Sequence, residues 1–322
     1  MKLRKLLSIL ALGDVVSILF LLFLSLLNLM FFQRVAQWYV IVLVNCGVSA
    51  LIVLLAWLAE TKGSKLLVGL HRWYCYPIIL FVFKELYVMI RPIHPVDYDA
   101  LLISIDHWLF GVHPTQWVAQ FAHPLVTEIL QIAYFSYYLL FIIMGVGVYR
   151  RYAIEEFDKA AFLIVYGFYL SYLGYFLLPA VGPRFTLHEF AALPAELPGL
   201  LLTDTLREII NAGESIPKDH SKALDLVQRD VFPSGHTQLT LIVLVLTYRY
   251  KLKARALVTV LGSLLLIGTV YLRYHYVIDL VAGALFAWFT IWSGDRLQRW
   301  WQGRGAGDFA RTERAISNFD WK

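Results

Sequence analysis

Apolar residues in this chain come in long blocks separated by short polar or basic stretches, not in period-two alternation. About 20 consecutive apolar residues cross a bilayer as an α-helix. Backbone groups in lipid must be satisfied within the element, so blocks of this kind predict helices. Eight spans are predicted, at roughly 8–32, 38–58, 74–90, 126–149, 160–179, 235–249, 254–272 and 275–294. The expected fold is therefore all-α, a polytopic membrane bundle of about eight transmembrane helices. The block from Ser8 to Phe32 is longer than the apolar core of a signal peptide and is read as a retained first span.

Two long connections interrupt the spans. The first, about 91–125, contains VDYDALLISIDHWLFG, whose apolar positions recur at helical spacing, as in a helix lying at the membrane interface. The second, about 180–233, mixes Pro, Gly and charges and predicts a short helix near TDTLREIINA. Connections this long in a compact protein are commonly functional or disordered.

Composition supports the membrane assignment. Of 322 residues, 59% are hydrophobic and 16% charged, against roughly a quarter charged in soluble domains. The net charge of +5 does not point to nucleic acid, because its distribution follows the topology. With the N-terminus inside, the short inner connections collect Lys62, Lys65, Arg72, Arg150, Arg151, Lys159, Arg249, Lys251, Lys253 and Arg255, and both ends of the chain are basic. Positive-inside bias then puts both termini in the cytoplasm. Cys46 and Cys75 form neither a disulfide framework nor a CxxC pattern.

The candidate chemistry lies at the ends of spans that this topology places on the outer face. Lys84 and Arg91 in KELYVMIRP are two helical turns apart and share a helix face, where two cations repel unless an anion sits between them. Ser234, Gly235 and His236 open the sixth span in FPSGHT, and a helix start with a glycine is a ready anion site. Pro233 suits the first helical position, where its missing N–H costs nothing. His275 and Asp279 in YLRYHYVIDLVAG are four apart; the carboxylate can orient the imidazole and leave one ring nitrogen free to attack. The bland reading of that pair is a structural hydrogen bond at a helix start, and that of Lys84 is snorkelling to the interface. Arg184 in VGPRF and Arg273 add positive charge. His188, Glu189 and His220 lack metal-ligand spacing, so neither a metal nor a cofactor is expected.

Together these residues resemble the type 2 phosphatidic acid phosphatase (PAP2) superfamily: KELYVMIRP fits K-x6-RP, FPSGHT fits PSGH, and RYHYVID fits the H-x3-D end of the third motif. The resemblance covers about 74–294 and divides the chain into an N-terminal helix pair (1–72), a six-helix PAP2-like catalytic core (73–294) and a basic cytoplasmic tail (295–322). It implies that Lys84, Arg91, Ser234 and Gly235 bind phosphoryl oxygens. It further implies that His275 attacks phosphorus to form a phosphohistidine, Asp279 orients it, and His236 protonates the leaving alkoxide. The family's third motif would place Ser-Arg at Gly268 and Thr269, and this chain lacks both; Arg273 or Arg184 is the candidate replacement. YLRYHYVIDLVAG with the DYDALLISIDHWLFG leader looks more like the inositol phosphorylceramide synthase branch.

The expected function is then transfer of a phosphoryl headgroup between a phospholipid and a lipid alcohol, in the plasma or inner membrane, with the site on the outer face. The alternative with water as acceptor is a lipid phosphate phosphatase acting on phosphatidate or polyprenyl phosphate. Rivals of another class are a lipid transporter and a non-catalytic lipid-binding protein. Both histidines are expected to work near the ordinary imidazole value of about 6.5, giving a bell-shaped pH profile.

Overall fold

The computed structural model describes residues 9–218 and 222–303, and every regular element among them is helical. The basic N-terminal Lys2, Arg4 and Lys5, residue His220 and the tail from Arg304 lie outside the described residues. The chain forms two compact units. One comprises residues up to Ile93 with Val148–Tyr169 and the segment from Phe289; the other comprises His94–Gly147 and Leu170–Trp288.

In the first unit α1 (Leu12–Met30), α2 (Trp38–Lys62), α3 (Lys65–Trp73) and α4 (Cys75–Ile93) pack as successive neighbours. α2 ends where Gly63 adopts a left-handed conformation, the usual way to stop a helix. The packed faces are not purely apolar. Asp14 is buried in α1 and accepts hydrogen bonds from His71 Nε2 at 3.0 Å, the Tyr74 hydroxyl at 2.6 Å and the Ala11 amide at 2.7 Å. Arg72 pairs with Asp158 at 2.8 Å, and in α2 Asn45 donates to the buried Glu85 of α4 at 2.7 Å. A cavity of about 30 Å³ lies among Asp14, His71, Arg72 and Asp158.

The second unit begins with α5 (Asp99–Phe110) and α6 (Pro114–Ala119). α7 (Pro124–Phe135) and α8 (Tyr137–Arg151) are then set at 47° to one another across Ser136. α9 (Ile154–Leu177) and α16 (Val277–Gln302) contribute to both units. The long connection after α9 is built of short pieces, α10 (Pro183–Thr186), a 3₁₀ turn at Phe190–Ala192, α11 (Leu193–Glu196), α12 (Thr203–Gly213) and α13 (Ala223–Leu226). It is followed by α14 (Gly235–Arg249) and α15 (Arg255–Tyr271). α15 packs on α7 and α14, and α12 packs on α7. One apolar cluster joins Leu130 and Tyr134 of α7 to Leu193, Leu197, Tyr271, Leu272 and Tyr274.

A helix occupies each of the eight predicted blocks, so the polytopic helical bundle stands. Among the described residues five helices are long and apolar enough to cross a membrane, six when α7 and α8 are counted as one bent span. The expected eight is not reached because α14 and α15 have 15 and 17 residues, about 22 and 26 Å at 1.5 Å per residue against a hydrocarbon core of about 30 Å. Both give up length to the turns that carry the candidate site.

Candidate active site

The turn between α15 and α16 is the centre of the arrangement. α15 closes in a Schellman motif: the Tyr274 amide donates to the Thr269 carbonyl at 2.9 Å and the Arg273 amide to the Val270 carbonyl at 3.0 Å. The left-handed position, which favours glycine, is taken by Arg273 at φ 66°. Two residues later His275 leaves the turn, buried, and α16 begins. Asp279, in the first turn of α16, accepts from the Tyr276 amide at 2.8 Å and faces His275 Nδ1 at 3.4 Å. The i, i+4 pairing expected from the sequence is therefore formed.

α14 brings the second histidine. Ser234 is the N-cap, its hydroxyl accepting from the Thr237 amide at 3.2 Å. Pro233 thus stands one residue before the cap instead of at the first helical position, behind a cis peptide bond to Phe232. The Ser234 amide, expected to be free for an anion, donates to the Asp279 carbonyl at 3.0 Å. That bond ties the start of α14 to α16. It requires Gly283, because a Cβ there would come within 2.6 Å of the Ser234 carbonyl oxygen. The result places the rings of His236 and His275 with centroids 5.7 Å apart at 60°.

Arg184 and Arg273 meet at the same turn. The Arg184 amide donates to the Arg273 carbonyl at 3.2 Å. The Arg184 guanidinium is buried over the Tyr274 ring at 4.7 Å, with Asn211 Oδ1 at 3.3 Å and an ion pair to Glu214. Arg273 is ion-paired to Glu196, and its buried Nε has no hydrogen-bond partner.

The carboxylates that hold this turn in place went unassigned in the sequence. Asp99 accepts from the amides of Val181 and Gly182 at 3.0 and 2.8 Å and from the Tyr276 hydroxyl at 2.8 Å. Gly182 is left-handed there at φ 94°, and a Cβ would press on the Tyr274 carbonyl at 3.0 Å. Asp106 accepts from the Val277 and Ile278 amides, both at 2.8 Å, and so caps α16 beside His275. Glu128 of α7 receives the amides of Leu200, Leu201, Leu202 and Thr203 and the Thr203 hydroxyl, and fixes the connection that carries Glu196 and Glu214. A signal existed for the first two: acids seven apart in an amphipathic helix lie on one face. Glu128 gave none.

Lys84 and Arg91 lie seven apart on α4, both exposed, in the first unit, whereas the histidines and Arg184 and Arg273 belong to the second. Among the described residues no group of three or more His, Cys, Asp or Glu is placed to hold a metal ion.

The turn from Leu272 to Tyr276 lies outside the membrane-spanning helices. There burial pulls the His275 imidazole down to about 4, against the partly offsetting pull of Asp230 and of a backbone hydrogen bond at Val231. This overturns the expectation of an ordinary value. A buried neutral imidazole beside a second one, with two arginines nearby, can attack an electrophile without first losing a proton. The neighbouring ring can then take or give the proton of an alcohol.

A family model described as PAP2 superfamily matches residues 100–293, more than half of the chain. The matched stretch takes in FPSGHT and RYHYVID and begins after KELYVMIRP. No curated protein and no solved structure matches the chain.

Proposed function

The chain belongs to the PAP2 superfamily, and from that premise we propose that it is an integral membrane lipid phosphotransferase working through a phosphohistidine at His275. The observation that carries the reading is the meeting of His236 and His275, from segments 39 residues apart, with ring centroids 5.7 Å apart, the second backed by Asp279. Nε2 of His275 attacks the phosphorus of a lipid phosphoester. The P–O bond to the leaving group breaks, and the leaving alkoxide takes a proton from His236. An acceptor hydroxyl then attacks the phosphorus of the phosphohistidine and gives its proton to His236; the new O–P bond forms as the P–N bond breaks, which restores His275. Arg273, with its unpaired Nε, and Arg184 stabilise the charge on the phosphoryl oxygens, the effect usually largest in such sites. They are the candidate replacements for the Ser-Arg that the family's third motif would place at Gly268 and Thr269. The assignment of Lys84, Arg91, Ser234 and Gly235 to the phosphoryl oxygens rests on the motifs, and for Gly235 also on its place at the start of α14.

A transferase of the inositol phosphorylceramide synthase type is favoured over a hydrolase by the DYDALLISIDHWLFG leader. Its Asp106 holds the backbone just after His275, and its Asp99 holds the Val181–Gly182 backbone and the Tyr276 hydroxyl. Lipid hydroxyl as acceptor gives transfer; water gives hydrolysis of the same intermediate. The distribution of basic residues supports cytoplasmic termini and a site on the outer face, reached sideways from that leaflet.

The test is to incubate purified protein in detergent with headgroup-labelled phosphatidylinositol, phosphatidate or polyprenyl phosphate, with and without ceramide or diacylglycerol. Label on the acceptor lipid is expected, together with acid-labile, base-stable phosphate on the protein. If His275→Gln still forms that adduct, the nucleophile is elsewhere. Free phosphate alone, unchanged by any acceptor, makes the protein a phosphatase.

A further inference from the structure

His275 has a carboxylate behind it, whereas His236 has phenols. The Tyr134 hydroxyl lies 3.4 Å from His236 Nδ1, and the Tyr134 ring stacks on the imidazole with centroids 4.5 Å apart at 24°. The Tyr137 ring lies 4.3 Å away at 39°, and its hydroxyl donates to the Gly235 carbonyl at 3.2 Å, beside the histidine in the chain. The two tyrosines come from the two sides of the break between α7 and α8. Ser136 caps that break: its amide donates to the Ile132 carbonyl at 3.0 Å and its hydroxyl to the Ala133 carbonyl at 2.7 Å. Residues three apart share a helix face, and both rings meet one imidazole across the 47° change of direction. Tyr134 is held from behind by Tyr274, stacked at 4.2 Å and 11°, which in turn lies under Arg184.

We infer that Tyr134 and Tyr137 are positioning residues of the acid–base histidine, which sets the division of labour between the two imidazoles. A neutral phenol at Nδ1 accepts that nitrogen's proton in a hydrogen bond and leaves Nε2 as the nitrogen that gives or takes a proton. A phenol strengthens a base far less than a carboxylate does, so His236 parts with its proton readily while His275, backed by Asp279, keeps its strength as a nucleophile. The two ring faces meanwhile stabilise the imidazolium that forms when His236 takes the acceptor's proton. Nothing in the motifs announces this: PSGH ends at the histidine, and YFSYY lies about a hundred residues earlier.

The inference rests on the proposed phosphotransfer, and its test separates the two. Turnover of an alkyl ester, dioctanoylglycerol phosphate, is compared with that of 4-nitrophenyl phosphate, whose leaving group departs without a proton. Tyr134→Phe is expected to slow the alkyl ester about 10-fold and the aryl ester less than about 2-fold, the pattern of weakened acid catalysis. Tyr134→Leu, which also removes the ring, is expected to slow the alkyl ester further. Equal slowing of both esters, or of neither, overturns the inference. Activity surviving in His275→Gln overturns the phosphohistidine reading instead. A second measurement needs no turnover: ¹⁵N spectra of ring-labelled histidine, with His236 assigned from its loss in His236→Gln. Wild-type protein is expected to show Nδ1 protonated and Tyr134→Phe a mixture of tautomers; an unchanged His236 spectrum overturns the role of the hydroxyl.

Discussion

Each unit buries an aspartate against a histidine, and the two pairs differ in what surrounds them. In the first unit Asp14 holds His71, Tyr74 and the Ala11 amide. The neighbouring Arg72 is matched to Asp158, one cation to one anion. In the second unit Asp279 holds His275 loosely, at 3.4 Å against 3.0 Å, and a second imidazole stands beside the first. Arg184 and Arg273, which meet at the same turn, are ion-paired to Glu214 and Glu196. The same two side chains thus make a helix-to-helix pin in one place and an expected nucleophile in the other. What separates them is the neighbouring ring: the arginines are ion-paired in both places, but His275 has a second imidazole beside it where His71 has the Tyr74 phenol.

Replacing each histidine by glutamine should break the symmetry most sharply. His275→Gln is expected to lower transfer by about 10³-fold or more, as loss of a nucleophile does, with the melting midpoint in detergent nearly unchanged. His71→Gln is expected to leave turnover of the folded protein within about 3-fold. Asp14→Ala goes further, since it leaves the His71 Nε2 and the Tyr74 hydroxyl without their acceptor in a buried site. Each orphaned group costs about 1–3 kcal/mol, so a clear fall in melting temperature should accompany normal chemistry. If His71→Gln abolishes transfer and His275→Gln does not, the two units have been assigned the wrong way round.

The pH profile sharpens the comparison next. A nucleophilic imidazole must be neutral, and burial lowers the value of His275 to about 4. The attacking form is therefore present above that value and is lost as pH falls through it. At pH 5 about nine-tenths of His275 remains neutral, against roughly 3% for an imidazole at the ordinary value of about 6.5. The acid limb of kcat/KM is expected below pH 5. A limb of unit slope centred near 6.5 would show that burial does not lower the His275 imidazole.

The two pairs also differ in how far the sequence revealed them. His275 and Asp279 are four apart, so helix geometry alone joins them, and PSGH marks a helix start by its own chemistry. Asp14 sits in an apolar block and His71 in a basic connection 57 residues away, and neither carries an indication of its partner. The same limit hid Glu128, which reaches 72 to 75 residues along the chain, and the tyrosines around His236. Helices were legible because their period is local. The count of spans was less so, because α14 and α15 are shortened by turns whose bonds join separate segments. The fate of the Ser234 amide was illegible for a related reason: its acceptor is a backbone carbonyl in α16, and backbone carbonyls leave no mark in a sequence.

Arg273 offers the finest cut. It occupies the C′ position of a Schellman motif at φ 66°, a conformation that costs an L-residue roughly 1–2 kcal/mol. A glycine there would remove that cost and keep every backbone bond of the turn. A structural turn gains from such a change; a phosphate-binding turn loses the guanidinium, and its unpaired Nε, at the site. Arg273→Gly is therefore expected to leave the melting temperature equal or slightly higher while raising KM for a lipid phosphoester about 10-fold, the size of one charge-assisted hydrogen bond. Arg273→Lys keeps the charge but not the fork, and should recover only part of the loss. A glycine variant that is more stable and fully active would mean that Arg273 serves Glu196 alone, and would leave Arg184 as the arginine of the second unit that meets the phosphate.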